Sequence, residues 1–167
     1  MVYEEYVKTN KAAFLEKVKQ ISAKLRINPD WLMVVMYAES RLNPAAYNSN
    51  GRASGLIQFM PSTAKWLGTT TAKLRSMSNV DQLDLVYKYF YSLGATGKMK
   101  SVYDLYLVTF FPIALGKPDS WILESKDLSA YKIAANNKII DLNKDGKITV
   151  GEFKQYVDMY LKKKILT

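Results

Sequence analysis

The 167-residue chain contains no cysteine and no histidine. Without cysteine there is no disulfide and no thiol nucleophile, and the redox compartment cannot be read from the sequence. Without histidine, His/Cys metal centres and Ser–His or Cys–His catalysis are excluded. Any enzymatic chemistry therefore falls to carboxylates, lysines, hydroxyls or a hard cation. Acidic residues are also in short supply, 15 against 24 Lys and Arg, giving a net charge of +9. Such a surplus suits an acidic or polyanionic partner, although a soluble basic protein has the same composition. No stretch is long and apolar enough to span a membrane, so no membrane insertion is expected. The opening MVYEEYVKTNK is acidic and polar where a signal peptide needs a basic start and an apolar run, so none is expected.

With 49% apolar residues and no low-complexity tract, the chain can bury one good core, with room for a small appendage. Phe14, Val18, Ile21 and Leu25 are spaced four, three and four, which predicts an amphipathic helix within residues 3–25, its lysines in solvent. Asn28-Pro29-Asp30 is a helix start, with a cap, a first-turn proline and an acidic residue at the positive end of the dipole. Trp31 to Ala38 then run without a polar break, which predicts a central helix with the rest of the domain wrapped around it. The first acidic side chain after that run is Glu39, and Pro44 closes the helix region. Residues 45–54 are turn formers centred on Asn50-Gly51, a loop or at most a short hairpin. Further helices are expected after Pro61, from Ser78 to Gly94 and from Ser101 to Pro112, with Trp121 to Leu123 as packing residues. The expected architecture is mainly α.

Two features carry chemistry. A charged carboxyl delivered by a buried helix to the lip of a loop must find partners or become neutral, which makes Glu39 the leading functional candidate. The second feature is Asp141-Leu142-Asn143-Lys144-Asp145-Gly146-Lys147-Ile148-Thr149-Val150-Gly151-Glu152, which fits the whole EF-hand loop pattern. Asp141, Asn143 and Asp145 would ligate calcium through side chains, Lys147 through its carbonyl, Thr149 directly or through water, and Glu152 with two oxygens. Gly146 would make the sharp turn. Leu128, Tyr131, Ala135 and Ile139 suggest the entering helix, and Phe153, Tyr156, Val157, Tyr160 and Leu161 the leaving one, followed by Lys162-Lys163-Lys164 as a solvated end. EF-hands usually occur in pairs; a lone one is expected to be a structural clip rather than a sensor.

Ala38-Glu39-Ser40 at the end of an apolar helix, followed by Ser54-Gly55-Leu56-Ile57-Gln58-Phe59-Met60-Pro61-Ser62-Thr63-Ala64, resembles the soluble lytic transglycosylases, relatives of goose-type lysozyme that cut peptidoglycan. The resemblance is close over residues 28–68 and general up to about 123. It implies a lysozyme-like helical domain over residues 1–125; the EF-hand-like helix-loop-helix at 126–167, which is not part of the family's minimal pattern, is expected to pack on it. It also implies that Glu39 protonates the glycosidic oxygen between N-acetylmuramic acid and N-acetylglucosamine. The same residue would then act as base, leaving a 1,6-anhydro end. Ser40, Ser54, Gly55 and Gln58 match positions that hold the sugar or order the acid.

The family's third motif, an A-Y-N-A-G-like string, is absent here. Tyr106 or Thr109 is the candidate to replace it, although Tyr106 also suits a core position. The implied partner is the glycan strand of peptidoglycan, with no nucleic acid, and a monomer is expected. Action at the bacterial wall without a leader fits a virion-borne phage enzyme or a lysin. Lysozyme-type hydrolysis and a non-catalytic calcium- or wall-binding module are the competing readings.

Overall fold

A computed structural model describes residues 1–162. Among them eight α-helices carry the regular structure, and β pairing is limited to isolated bridges, so the fold is mainly α as expected. The helices are α1 (Lys11–Leu25), α2 (Pro29–Ser40), α3 (Pro61–Trp66), α4 (Thr71–Ser76), α5 (Asn79–Ser92), α6 (Val102–Phe110), α7 (Ala130–Asn136) and α8 (Val150–Asp158). The chain divides into two compact units, Met1–Leu105 and Tyr106–Thr167. The division falls inside α6, earlier than residue 125. Lys163 and Lys164 of the basic end lie outside the described residues.

The first unit is built round α2. Leu32, Met33, Val34, Val35 and Met36 are all fully buried. Successive helical residues advance by about 100°, so five in a row leave no side of this helix exposed. The Asn28 side chain accepts from the Asp30 N–H at 2.9 Å, the cap expected at the start. Phe14, Val18, Ile21 and Leu25 of α1 are buried, and α1 packs on α2 and α5. The first helix does not begin at Tyr3. Tyr3 and Asn10 take left-handed backbone, and a 3-10 turn at Glu4–Tyr6 stands between them. That segment packs on α2 instead: the Val2 N–H donates to Asp30 Oδ1 at 2.9 Å, and the Tyr3 ring stacks on Tyr37 at 3.8 Å. Tyr6 meets Tyr37 edge-on at 4.7 Å. α4 has no counterpart in the sequence reading, since one buried residue, Leu74, gives a six-residue helix no detectable period.

In the second unit an aromatic cluster forms the core. Phe153 of α8 stacks on Phe110 at 5.2 Å and meets Tyr106 edge-on at 5.2 Å. The face of the entering helix differs from expectation. Leu128, Tyr131 and Ile139 are exposed, and Ile133, Ala134 and Ile140 are buried in their place. The helix is limited to Ala130–Asn136, so Leu128, Ile139 and Ile140 lie outside it, and the seven residues left are too few for periodicity to choose the buried phase.

Burial raises the Tyr89 phenol well above its ordinary value of 10, and burial followed by the neighbouring Tyr37 raises Tyr3 in the same direction. The folded state thus favours the protonated phenols. Their contribution is complete below the unfolded value of 10.0 and is lost as pH rises above it. Melting temperatures measured between about pH 8 and 11 should stay level and then fall above about pH 10. A level profile to the top of that range would contradict this assignment.

Candidate active site and acidic loop

Glu39 is the penultimate residue of α2 and is half-buried. Immediately after it the chain turns sharply. Arg41 and Leu42 both take left-handed backbone, φ 55° and 61°. Such conformations cost roughly 1–2 kcal/mol each for residues with a Cβ. The strain is offset by closure of the helix end: the Arg41 N–H donates to Tyr37 O at 2.9 Å and the Leu42 N–H to Met36 O at 3.3 Å. The Arg41 guanidinium lies over the Tyr37 ring at 4.5 Å and donates to Tyr37 O at 2.9 Å. The end of the helix bearing Glu39 is thereby fixed by both backbone and side chain.

The loop from Pro44 to Phe59 faces this helix end. Ser54 and Phe59 exchange two backbone bonds, at 3.0 and 2.9 Å, and the Gly55 N–H donates to Ala46 O at 3.0 Å. Tyr47 and Ser54 form an isolated antiparallel bridge, so the expected hairpin is reduced to single bridges. The Ser40 hydroxyl is 2.9 Å from Met36 O and 2.8 Å from Leu56 O, in donating geometry to both. Ser40 is buried, so its role here is to join the end of α2 to the loop.

The other residues matched by motif are also turned toward protein. Ser54 is fully buried, and its hydroxyl accepts from Arg75 Nη1 at 2.8 Å. A Cβ added to Gly55, which has φ 90°, would lie 2.7 Å from Gln82 Oε1. The close approach that needs glycine is to a side-chain amide of α5. Gln58, also left-handed, donates through Nε2 to Gly55 O at 3.0 Å and Ala46 O at 3.3 Å. Tyr106 is 2% exposed in the core of the second unit, edge-on to Phe153 and Tyr156, so its ring offers no face to a sugar. Thr109 is half-buried.

Gln82 is the important residue that the motifs did not reveal. It is fully buried, its Oε1 accepts from the Leu56 N–H at 3.0 Å, and its Nε2 donates to Pro44 O at 2.6 Å and Leu74 O at 2.7 Å. One signal was available: Gln82 stands one helical turn before Val86, on the stripe that α5 buries. A polar residue on a buried stripe needs partners, and here they are the two ends of the loop and α4.

Of the other carboxylates in the first unit that a hydrolytic reaction could use, Asp81, Asp84 and Asp104, two have partners of their own. Asp84 pairs with Lys17 at 2.9 Å, and Asp104 accepts from the Lys100 N–H at 2.8 Å at the start of α6. The Asp81 N–H donates to the Ser78 hydroxyl at 3.0 Å, the cap expected for α5.

In the second unit, carboxylate oxygens of Asp141, Asp145 and Glu152 lie within 4.8 Å of one another. Oxygens that share a calcium ion at 2.3–2.6 Å stand no more than about 5 Å apart, so the spacing fits. Asp141 is buried, and its Oδ1 has no hydrogen-bond partner while Oδ2 accepts from the Gly146 N–H at 3.0 Å. A buried carboxylate oxygen without a donor is costly, and a cation would satisfy it. Asn143 Oδ1 accepts from the Asp145 N–H at 3.2 Å. Thr149 and Glu152 form a capping box at the start of α8. Gly146 has φ 80°, the turn its position requires. The loop's backbone is paired within its own unit: the Leu123 N–H donates to Ile148 O at 2.8 Å and the Val150 N–H to Trp121 O at 2.9 Å.

Residues 16–93, just under half of the chain, match the family model of the transglycosylase SLT domain. The match runs from within α1 to the end of α5 and includes Glu39, the loop and Gln82. It supports a relationship to lytic transglycosylases, a family whose substrate class is peptidoglycan and whose place of action is the cell wall. No curated protein and no solved structure matches the chain. Among the described residues no helix is long and apolar enough to cross a membrane.

Replacing Gln82 by Leu keeps the volume but leaves the Leu56 N–H and Pro44 O without their partner, while Leu74 O still accepts from the Met77 N–H at 3.1 Å. At roughly 1 kcal/mol for each of the two groups, the loss should be about 2 kcal/mol by urea denaturation. A loss below about 1 kcal/mol would mean that the loop is held by other contacts.

Proposed function

We propose that this protein cleaves the β-1,4 bond between N-acetylmuramic acid and N-acetylglucosamine as a lytic transglycosylase, with Glu39 as its single acid–base residue. The observation that carries this reading is the family match over a segment in which Glu39 is the only acidic residue from 31 to 80. Its position beside the loop, at the end of a helix whose middle turns are buried on all sides, supports the reading.

Glu39 donates its proton to the glycosidic oxygen as the bond from that oxygen to the muramyl anomeric carbon breaks. The resulting carboxylate takes the proton of the muramyl 6-hydroxyl as that oxygen bonds to the anomeric carbon. A 1,6-anhydro ring closes, no water is consumed and Glu39 is again protonated. A second carboxylate is unnecessary because the nucleophile belongs to the substrate, in contrast to ordinary glycosidases. The ion pair of Asp84 and the cap contact of Asp104 accord with this economy.

In the second unit, the proposed role of Asp141, Asn143, Asp145, Glu152, the Lys147 carbonyl and Thr149 is to hold one structural calcium ion. The orphaned Asp141 Oδ1 and the spacing of the three carboxylates support it.

Glu39→Gln keeps shape and removes the titratable proton. Wall clearance should fall by at least about a hundredfold, the scale of a lost general acid. Mass spectrometry of the products of the unaltered protein should show anhydro ends; reducing ends would indicate hydrolysis. Equal clearance by both proteins would leave a non-catalytic module as the reading. Calcium at a hundred times its dissociation constant should stabilise the fold by about 2.7 kcal/mol, read as a higher melting temperature. Asp141→Ala should abolish that rise, and no rise at millimolar calcium would exclude a functioning site.

A further inference from the structure

The loop beside α2 carries a cation with an unusual setting. Arg75, near the end of α4, donates through Nη1 to the fully buried Ser54 hydroxyl at 2.8 Å, and its guanidinium lies 4.5 Å from the centre of the Tyr47 ring. No carboxylate among the described residues forms an ion pair with it. Tyr47 is 51% exposed, so the pair opens to solvent. A guanidinium has five N–H donors in a planar fork, and only one is engaged by Ser54. Both anchors hold the group in place before any ligand arrives, which lowers the entropy lost on binding.

The location connects this pair to the proposed chemistry. Tyr47 bridges to Ser54, Ser54 bridges to Phe59, and Leu56 between them meets the Ser40 hydroxyl beside Glu39. We propose that Arg75, seated on Tyr47 and anchored by Ser54, binds a carboxylate carried by the muramyl residue of the glycan. Tyr47 supplies the aromatic face for the adjoining sugar or peptide. This rests on the peptidoglycan reading above and gives that substrate a charge requirement. It also assigns Ser54 a defined part: it positions the arginine and does not touch the sugar. The carboxylate has two possible sources, the free lactyl group of a glycan stripped of peptides or an acidic residue of the peptide stem.

The test is binding to the full chain carrying Glu39→Gln, which prevents turnover. Calorimetry would compare an N-acetylglucosamine oligomer, which lacks carboxylates, with muramyl glycan stripped of its stems and with glycan bearing them. Adding Arg75→Gln should weaken binding of at least one carboxylate-bearing glycan about tenfold or more, the scale of a charge-assisted hydrogen bond, and leave the neutral oligomer unchanged. The stripped or stem-bearing arm that loses affinity identifies the source. Equal weakening of all three, or of none, overturns the proposal. Methyl esterification of the glycan carboxylates repeats the test without the arginine variant, and unchanged binding of the esters also overturns it. If the Glu39→Gln protein binds none of the three glycans, the peptidoglycan reading itself fails.

Discussion

The side-chain amide of Gln82 sits where three parts of the first unit meet, and each of its bonds is made to a main-chain group. Through Leu56 it fixes the inner turn of the loop, through Pro44 the point where the chain leaves α2, and through Leu74 the helix that carries Arg75. Gly55 is the counterpart of that amide: it has no Cβ because the amide oxygen occupies the space. The end of α2, the loop and the arginine are consequently referred to one buried group. A network of this kind is demanding, since each unsatisfied member in a low-dielectric interior is expensive.

The two units solve different problems with similar means. In the first, a strained turn and a buried amide hold a carboxyl and a cation at defined places. In the second, three carboxylates are brought near one another, an arrangement that mutual repulsion opposes unless a cation intervenes. The pairing of Trp121 and Leu123 with the acidic loop also bears on its solitary state. An unpaired extended segment invites association, and here the chain covers part of that edge with its own residues.

Legibility in the sequence followed the strength of local patterns. α2 was plain because its apolar run and its Asn-Pro-Asp start agree, and the acidic loop was plain because ligand types and glycine occur at fixed spacing. The entering helix α7 differs from its expected face because it ends at Asn136, which leaves Leu128, Ile139 and Ile140 outside it. Tyr3 carries no sequence sign of its left-handed backbone, because it is neither glycine nor asparagine; its ring stacks on Tyr37. Ser54 and Gly55 stand out as sugar-site candidates by motif, but their protein partners, Arg75 and Gln82, lie more than twenty residues away, where no local rule reaches. Family resemblance located the stretch that matters without telling which side of each residue faces the protein.

The inward orientation of Ser40, Ser54, Gly55 and Gln58 has a consequence for mutational scanning. Substitutions at these four positions would register as losses of whatever activity is scored, and their clustering beside Glu39 would invite a map of ligand contacts. The physical event in each case would be the loosening of a main-chain turn, with any ligand affected only at second hand. Such a scan would outline the scaffold of the loop, and residues that touch a ligand would have to be sought among its more exposed neighbours.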